Sequence, residues 1–161
     1  MSVNSYEDLK VWQKSIDLVT DIYILVKNLP REELYSLSDQ IRRAAVSIPS
    51  NIAEGEQRQS SKEYLKFLSI AKGSLGELKT QIIICERLGY INKNEQETFC
   101  SRCDEIGRML NGLMKSIAIK INKSQSNDAN ICKEANQETK QSDTFHYQQL
   151  ATSLYPPAHS L

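Results

Sequence analysis

Between Tyr64 and Cys85, the apolar residues Tyr64, Leu68, Ala71, Leu75, Leu78, Ile82 and Cys85 recur at alternating steps of three and four. A strand repeats every second residue, so this spacing predicts an α-helix with one buried stripe. Phe67 and Ile70 stand beside the stripe, and continuation through Leu88 makes the helix about 40 Å long at a rise of ~1.5 Å per residue. Ser60 or Ser61 caps its start, with Glu63 near the first turn. Gly89 reads as its C-terminal cap, and Tyr90 and Ile91 carry an apolar contact into the turn. Gly73 and Gly76 each cost roughly 1 kcal/mol against alanine inside a helix. Close approach of another helix is the simplest explanation for them.

Three further segments share the helical period. The first opens near Ser5, with Asp8 answering the cap and Glu7 near the positive end, and shows Leu9, Trp12, Ile16, Val19, Tyr23 and Val26 as its seam. Leu18, Ile22 and Leu25 widen that stripe, and Asn28-Leu29-Pro30 ends it. The second opens at Arg31, Glu32 and Glu33 and runs through Leu34, Leu37, Ile41, Ala44, Ile48 and Ile52 to Gly55. Pro49 sits in its middle and removes one backbone donor. The helix either breaks at Ile48 or continues as a kinked helix held by its neighbours. The small Ala44, Ala45 and Ala53 favour the kink, as do Ser47 and Ser50, whose hydroxyls can serve carbonyls the proline loosens. The fourth segment starts near Asn92 or Asn94 and shows Phe99, Cys103, Ile106, Leu110, Leu113, Ile117 and Ile121.

Four long amphipathic helices, short turns and no strand pattern predict an all-α fold, an antiparallel up-and-down four-helix bundle over residues 1–122. Residues 123–161 are rich in Gln, Ser, Asn and Thr without a sustained apolar period. They read as a polar, disordered tail, with a short docking helix around Phe145 to Leu154 as the alternative.

The chain has 161 residues, 40% of them hydrophobic, and a formal net charge of zero. That length supports one domain, and the charge balance predicts no bulk attraction to nucleic acid or anionic membrane. The N-terminus lacks the pattern of a signal peptide and no run approaches a membrane span, so a cytoplasmic protein is expected. Cys85, Cys100, Cys103 and Cys132 are then reduced thiols. Cys100-Ser-Arg-Cys103 has the spacing of a redox or metal half-site, but it lacks the strand-to-helix setting of the first and the further ligands of the second. Both residues read as ordinary helix cysteines. His146 and His159 both lie in the tail, so neither a buried general base nor a stable metal site is expected. Glu7, Asp8, Glu54, Glu56, Glu63 and Glu77 have no histidine within the bundle with which to form a dimetal site. No motif of nucleophilic catalysis or nucleotide binding is present. No catalytic residue, metal or cofactor is expected.

The cations are more informative. Arg42 and Arg43 are helix neighbours that point about 100° apart, so both cannot occupy one narrow face. Arg58, Lys62, Lys66, Lys72 and Lys79 extend positive charge across the turn and along the third helix. The first reading is a solvated polar face balanced by glutamates; the second is a phosphate-binding surface.

Three blocks then carry a resemblance: Tyr6-x-Asp8-Leu9-x-Val11-Trp12; Gln40-x-x-Arg43-Ala44-x-x-Ser47-Ile48-Pro49-x-Asn51-Ile52-Ala53-Glu54-Gly55; and Phe67-Leu68-x-Ile70-Ala71-x-Gly73-Ser74-x-x-Glu77-Leu78. In this order, over residues 5 to 120, they resemble the four-helix-bundle proteins encoded in intervening sequences of bacterial 23S ribosomal RNA genes. The accessory variability protein of diversity-generating retroelements belongs to the same group. The resemblance implies an antiparallel bundle that assembles as a ring, typically a homopentamer, without enzymatic activity. In the retroelement branch it implies a reverse-transcriptase partner and nucleic-acid binding through positive charge. Within the matched blocks Arg43, Ser47, Pro49, Asn51, Glu54, Gly55, Gly73 and Glu77 are the structural motif. Arg58, Lys62, Lys66, Lys72, Lys79 and Arg42 are the candidates for nucleic-acid contact. The neutral charge balance and the tail depart from the pattern. Aromatic residues such as Trp12, Tyr23, Tyr35 and Tyr64 exceed what one seam hides, which also points to a homo-oligomer. Two functions follow: an accessory module binding RNA or DNA, or a scaffold that binds protein alone.

Overall fold

Four α-helices, α1 (Lys10–Lys27), α2 (Leu37–Glu56), α3 (Ser61–Arg87) and α4 (Lys93–Leu154), follow a single 3-10 turn at Tyr6–Asp8. The structure is a computed structural model that describes residues 5–30 and 36–154, with side chains through Lys123. No strand occurs among the described residues. The chain divides into two units, Met1–Ile119 and Lys120–Leu161, and the buried apolar core belongs to the first.

Pro49 does not end α2, which continues through it to Glu56. Ser50 Oγ donates to the Val46 carbonyl at 2.9 Å and Asn51 Nδ2 donates to the Ser47 carbonyl at 2.7 Å, so side chains supplement the weakened turn. Ser47 instead turns its hydroxyl to α3, 2.8 Å from that of Ser74. The expected opening of this helix at Arg31 to Leu34, and Tyr35 with it, lies outside the described residues.

Ser5 caps the 3-10 turn rather than α1, its Oγ accepting from the Glu7 N–H at 3.3 Å. Leu9 is extended, at φ −72° and ψ 118°, and α1 begins only at Lys10. The buried stripe of α1 is Val11, Ser15, Leu18, Ile22 and Leu25, continued by Val26 and Leu29, not the seam through Trp12, Ile16 and Tyr23. The two stripes lie side by side, about 80–100° apart. Ser15 makes the first one look polar in sequence, but its hydroxyl donates to the Val11 carbonyl at 2.6 Å and is satisfied while fully buried. Ile16 and Tyr23 are left on the surface.

In α3 the expected stripe from Leu68 to Cys85 is buried, while Ile70 is 43% exposed. The helix closes in a Schellman motif: Gly89 takes φ 74°, Tyr90 N–H reaches the Cys85 carbonyl at 2.9 Å and Gly89 N–H reaches that of Glu86 at 3.0 Å. A reciprocal capping box opens α4, with Glu95 N–H donating to Asn92 Oδ1 at 2.9 Å and Asn92 N–H to Glu95 Oε2 at 2.8 Å. Helical backbone then continues to Leu154 through the stretch expected as a disordered tail. No glycine or proline interrupts residues 123–154, so nothing in the chain forces a stop there.

Paired residues give the register. Lys14 meets Glu105 and Asp21 meets Arg102 between α1 and α4; Ser47 meets Ser74 between α2 and α3; Lys79 meets Asp104 between α3 and α4. Gly55 faces Tyr64 and Phe67, and Gly107 faces Leu75. Numbers rise on one helix as they fall on its neighbour, the order of antiparallel packing. With α1 also packed on α2, the four helices form a closed bundle.

Candidate nucleic-acid interface

The turn from α2 to α3 is shaped by Gly55. A Cβ there would lie 2.7 Å from Phe67 Cβ and 2.8 Å from Tyr64 Cδ2, so only a bare backbone lets the two helices meet this closely. Packing against that backbone buries the Tyr64 hydroxyl, which has no hydrogen-bond partner. Burial, and then the nearby Glu56 charge, push its pKa up to about 12. Arg58 closes the corner, its guanidinium 5.1 Å from the Phe67 ring centre and bridged to Glu54 at 2.5 Å. Arg58 and Glu54 therefore form an exposed pair one turn apart.

The six cations proposed from sequence do not form one cluster. Lys62 and Lys66 are exposed on the outer surface of α3, four residues apart on one face, and Lys72 is exposed on its flank. None of these three has an ion-pair partner among the described residues. Lys79 turns toward α4, where the hydrogen bond to Asp104 Oδ1 at 2.6 Å holds its pKa above the ordinary lysine value. Arg42 lies apart from the others, beside Tyr23 and Val46 in the groove between α1 and α2, and likewise has no ion-pair partner among the described residues. Its neighbour Arg43 extends to solvent, 74% exposed, and bridges Asp39 at 2.8 Å.

Among the residues of the structural motif, Asn51 Nδ2 donates to Ser47 Oγ at 2.9 Å and Ser74 Oγ donates to the Ile70 carbonyl at 3.2 Å. One proton arrangement then satisfies the set, with Ser47 donating to Ser74, and it ties α2 to α3. Gly73 and Gly76 face open space, with nothing within 4 Å of an added Cβ. No helix approaches them among the described residues, contrary to the sequence expectation. Glu77 is exposed and accepts from Gln81 Nε2 at 3.0 Å.

Sequence reasoning missed the ion pairs that join α4 to the bundle, Arg102 with Asp21 and Lys14 with Glu105. Their signal was charge at the edges of apolar seams, but pairing them requires the register between helices. Cys85, Cys100 and Cys103 are buried thiols. Burial pushes the Cys103 thiol up to about 12, and Gln96 Nε2 donates to Cys100 Sγ at 3.0 Å. Among the described residues no three side chains are grouped to hold a metal ion, and no helix is long and apolar enough to cross a membrane.

A family model, 23S rRNA-intervening sequence protein, matches residues 7–112. A solved structure of a protein with unknown function, from the S23 ribosomal protein family of Bacteroides thetaiotaomicron VPI-5482, is 31% identical with a TM-score of 0.62. The similarity covers 65% of this chain and 95% of that one. No curated protein matches. The matched segment contains α1, α2, α3 and the first part of α4, together with the second and third sequence blocks and all of the first but Tyr6. This chain belongs to the 23S rRNA-intervening sequence protein family.

Proposed function

We propose that the protein is a non-catalytic, self-assembling accessory module of the cytoplasm that binds nucleic acid by charge, without reading sequence. The carrying observation is that Lys62, Lys66 and Lys72 are exposed and have no ion-pair partner among the described residues, whereas Arg58 and Lys79 are each paired with a surface carboxylate. Free ammonium groups along a rigid helix match a phosphate backbone, which rewards charge regardless of base. A chain of zero net charge gains a strong local field only when copies bring these lysines together, so binding depends on assembly, with five subunits the count the resemblance implies. A ribonucleoprotein or reverse-transcriptase partner fits the same role.

The test is a comparison of two variants. Replacing Lys62, Lys66 and Lys72 together by alanine should weaken binding to RNA and DNA of any sequence, while Lys79→Ala should leave it nearly unchanged. Equal loss in both variants, or none in either, would contradict the assignment. The second reading, a scaffold that binds protein alone, is favoured by the exposed Ile16, Tyr23, Val46 and Ile70.

A further inference from the structure

We infer that the outer face of α3 in one copy docks in the α1–α2 groove of the next, head to tail. This rests on the self-assembly proposed above and adds the two faces and the residues that pair.

The groove begins with the apolar flank of α1 that the bundle leaves uncovered. Trp12 and Val19 are half-buried and Ile16 and Tyr23 exposed, Tyr23 at 41%. Val46 of α2, 39% exposed, continues the surface across a depression of about 400 Å³. Two arginines line it. Asp39, on the same wall, pairs with Arg43, and Arg42 makes no ion pair of its own among the described residues. An apolar trough with one unmatched cation invites an apolar surface that carries one anion.

The outer face of α3 has that composition. Ser69, Gly73, Gly76 and Thr80 follow steps of four, three and four, so they lie in one sector about 60° wide. Open space at Gly73 and Gly76 lets a foreign helix approach the backbone directly. Ile83 and Ile84 are exposed on either side of that sector, and Ile70 is exposed further round the same side as Ile84. Glu77 lies among them, holding a hydrogen bond from Gln81 but no cation. Each glycine disfavours the helix, and nothing inside the chain compensates. Contact from a second copy accounts for both.

Charge and shape agree on the occupant. With the glycine sector against the trough, Ile70, Ile83 and Ile84 meet Ile16, Tyr23 and Val46, and Glu77 is the anion available to Arg42 as a charge-assisted pair. Lys62 and Lys66 lie toward the other end of α3, outside the glycine segment, whereas Lys72 lies at the rim of the docking face, beside Gly73. The groove belongs to α1 and α2, and the docking face belongs to α3. Each copy therefore offers two unlike faces, and the contact is heterologous, which generates a ring where the rotation closes.

The full chain tests this by light scattering. Arg42→Glu and Glu77→Arg should each reduce the mass toward the 18.3 kDa of one chain, and the double exchange should restore assembly. Gly76→Leu should keep the helical circular-dichroism signal, since nothing stands near that position, yet fail to assemble. Val46→Arg blocks only the groove and Gly76→Arg only the docking face, so an equimolar mixture of the two should yield a capped dimer from chains that are monomeric alone. A wild type that is monomeric at every concentration overturns both self-assembly and this geometry. A multimeric wild type with unaffected variants, no rescue by the double exchange, or no dimer in the mixture overturns the geometry and leaves self-assembly standing.

Discussion

Gly55 and Phe67 approach so closely that a methyl group on Gly55 would stand 2.7 Å from Phe67 Cβ. That contact joins the end of α2 to the first turns of α3 and sets the angle of the corner that carries Arg58 and Lys62. Alanine is the better helix former by about 1 kcal/mol, yet here it forces two helices apart. Gly55→Ala should be net destabilising by about 1–3 kcal/mol, the range for overpacking a close contact. Chemical denaturation measures it. A variant as stable as the wild type would show that the corner has slack.

Ser47 tests the polar tie between α2 and α3. Alanine at this position removes the acceptor for Asn51 and the partner of Ser74 while leaving the apolar core untouched. The expected loss is about 1 kcal/mol, typical of one intramolecular hydrogen bond with partly solvated partners. Ser50→Ala, which affects a bond within α2 alone, should cost less in the same denaturation series.

Arg43 and Asp39 form an exposed pair one turn apart, and such pairs contribute between about 0 and 1 kcal/mol. Arg43→Ala should therefore leave the melting temperature nearly unchanged, although sequence reasoning gave this arginine a role in folding or assembly. A drop of many degrees in a thermal melt would return it to that role.

Alkaline pH should weaken the fold through Tyr64 and Cys103. Both pKa values are raised by burial to about 12, from ordinary values of 10.0 for the tyrosine and 9.0 for the cysteine. Each group therefore holds its proton more tightly in the folded chain than in the unfolded one. Their contribution is complete below about pH 9 and is lost as pH rises toward 12. Denaturation midpoints measured from pH 8 to 11 should fall over that window, and the Cys103→Ser variant should show a shallower fall. At pH 8 the Cys103 thiol should also react slowly with a disulfide reagent until the protein is unfolded.

Much of the fold was legible because the seams of α3 and α4 offer a single apolar stripe each, and because Gly89 and Asn92 carry strong cap chemistry. In α1 two adjacent stripes are apolar, and only the buried bond from Ser15 to the Val11 carbonyl decides between them, so the periodicity chose the surface stripe. Leu9 ended the helical reading of the N-terminus through its extended backbone, which composition does not reveal. The cations were legible as residue types but not as states. Lys66 and Lys79 look alike in sequence, and only the α3–α4 register shows that Asp104 neutralises one of them. Gly73 and Gly76 were read as sites of close helix approach, yet open space surrounds both; the close approach is made at Gly55, which the sequence offered only as a helix stop.

The central claim is that exposed lysines bind nucleic acid by charge alone, and the salt dependence of binding tests it most directly. Titrate single-stranded RNA and DNA of several unrelated sequences against the wild-type protein at a series of salt concentrations. The account predicts binding at low salt that is nearly equal across sequences, with log affinity falling linearly against log salt by about 0.7 for each phosphate neutralised on a single strand. Lys66→Ala should lower that slope by about 0.7 per contact in each engaged subunit. No binding at low salt, or an affinity indifferent to salt, would contradict the account and favour a scaffold that binds protein alone.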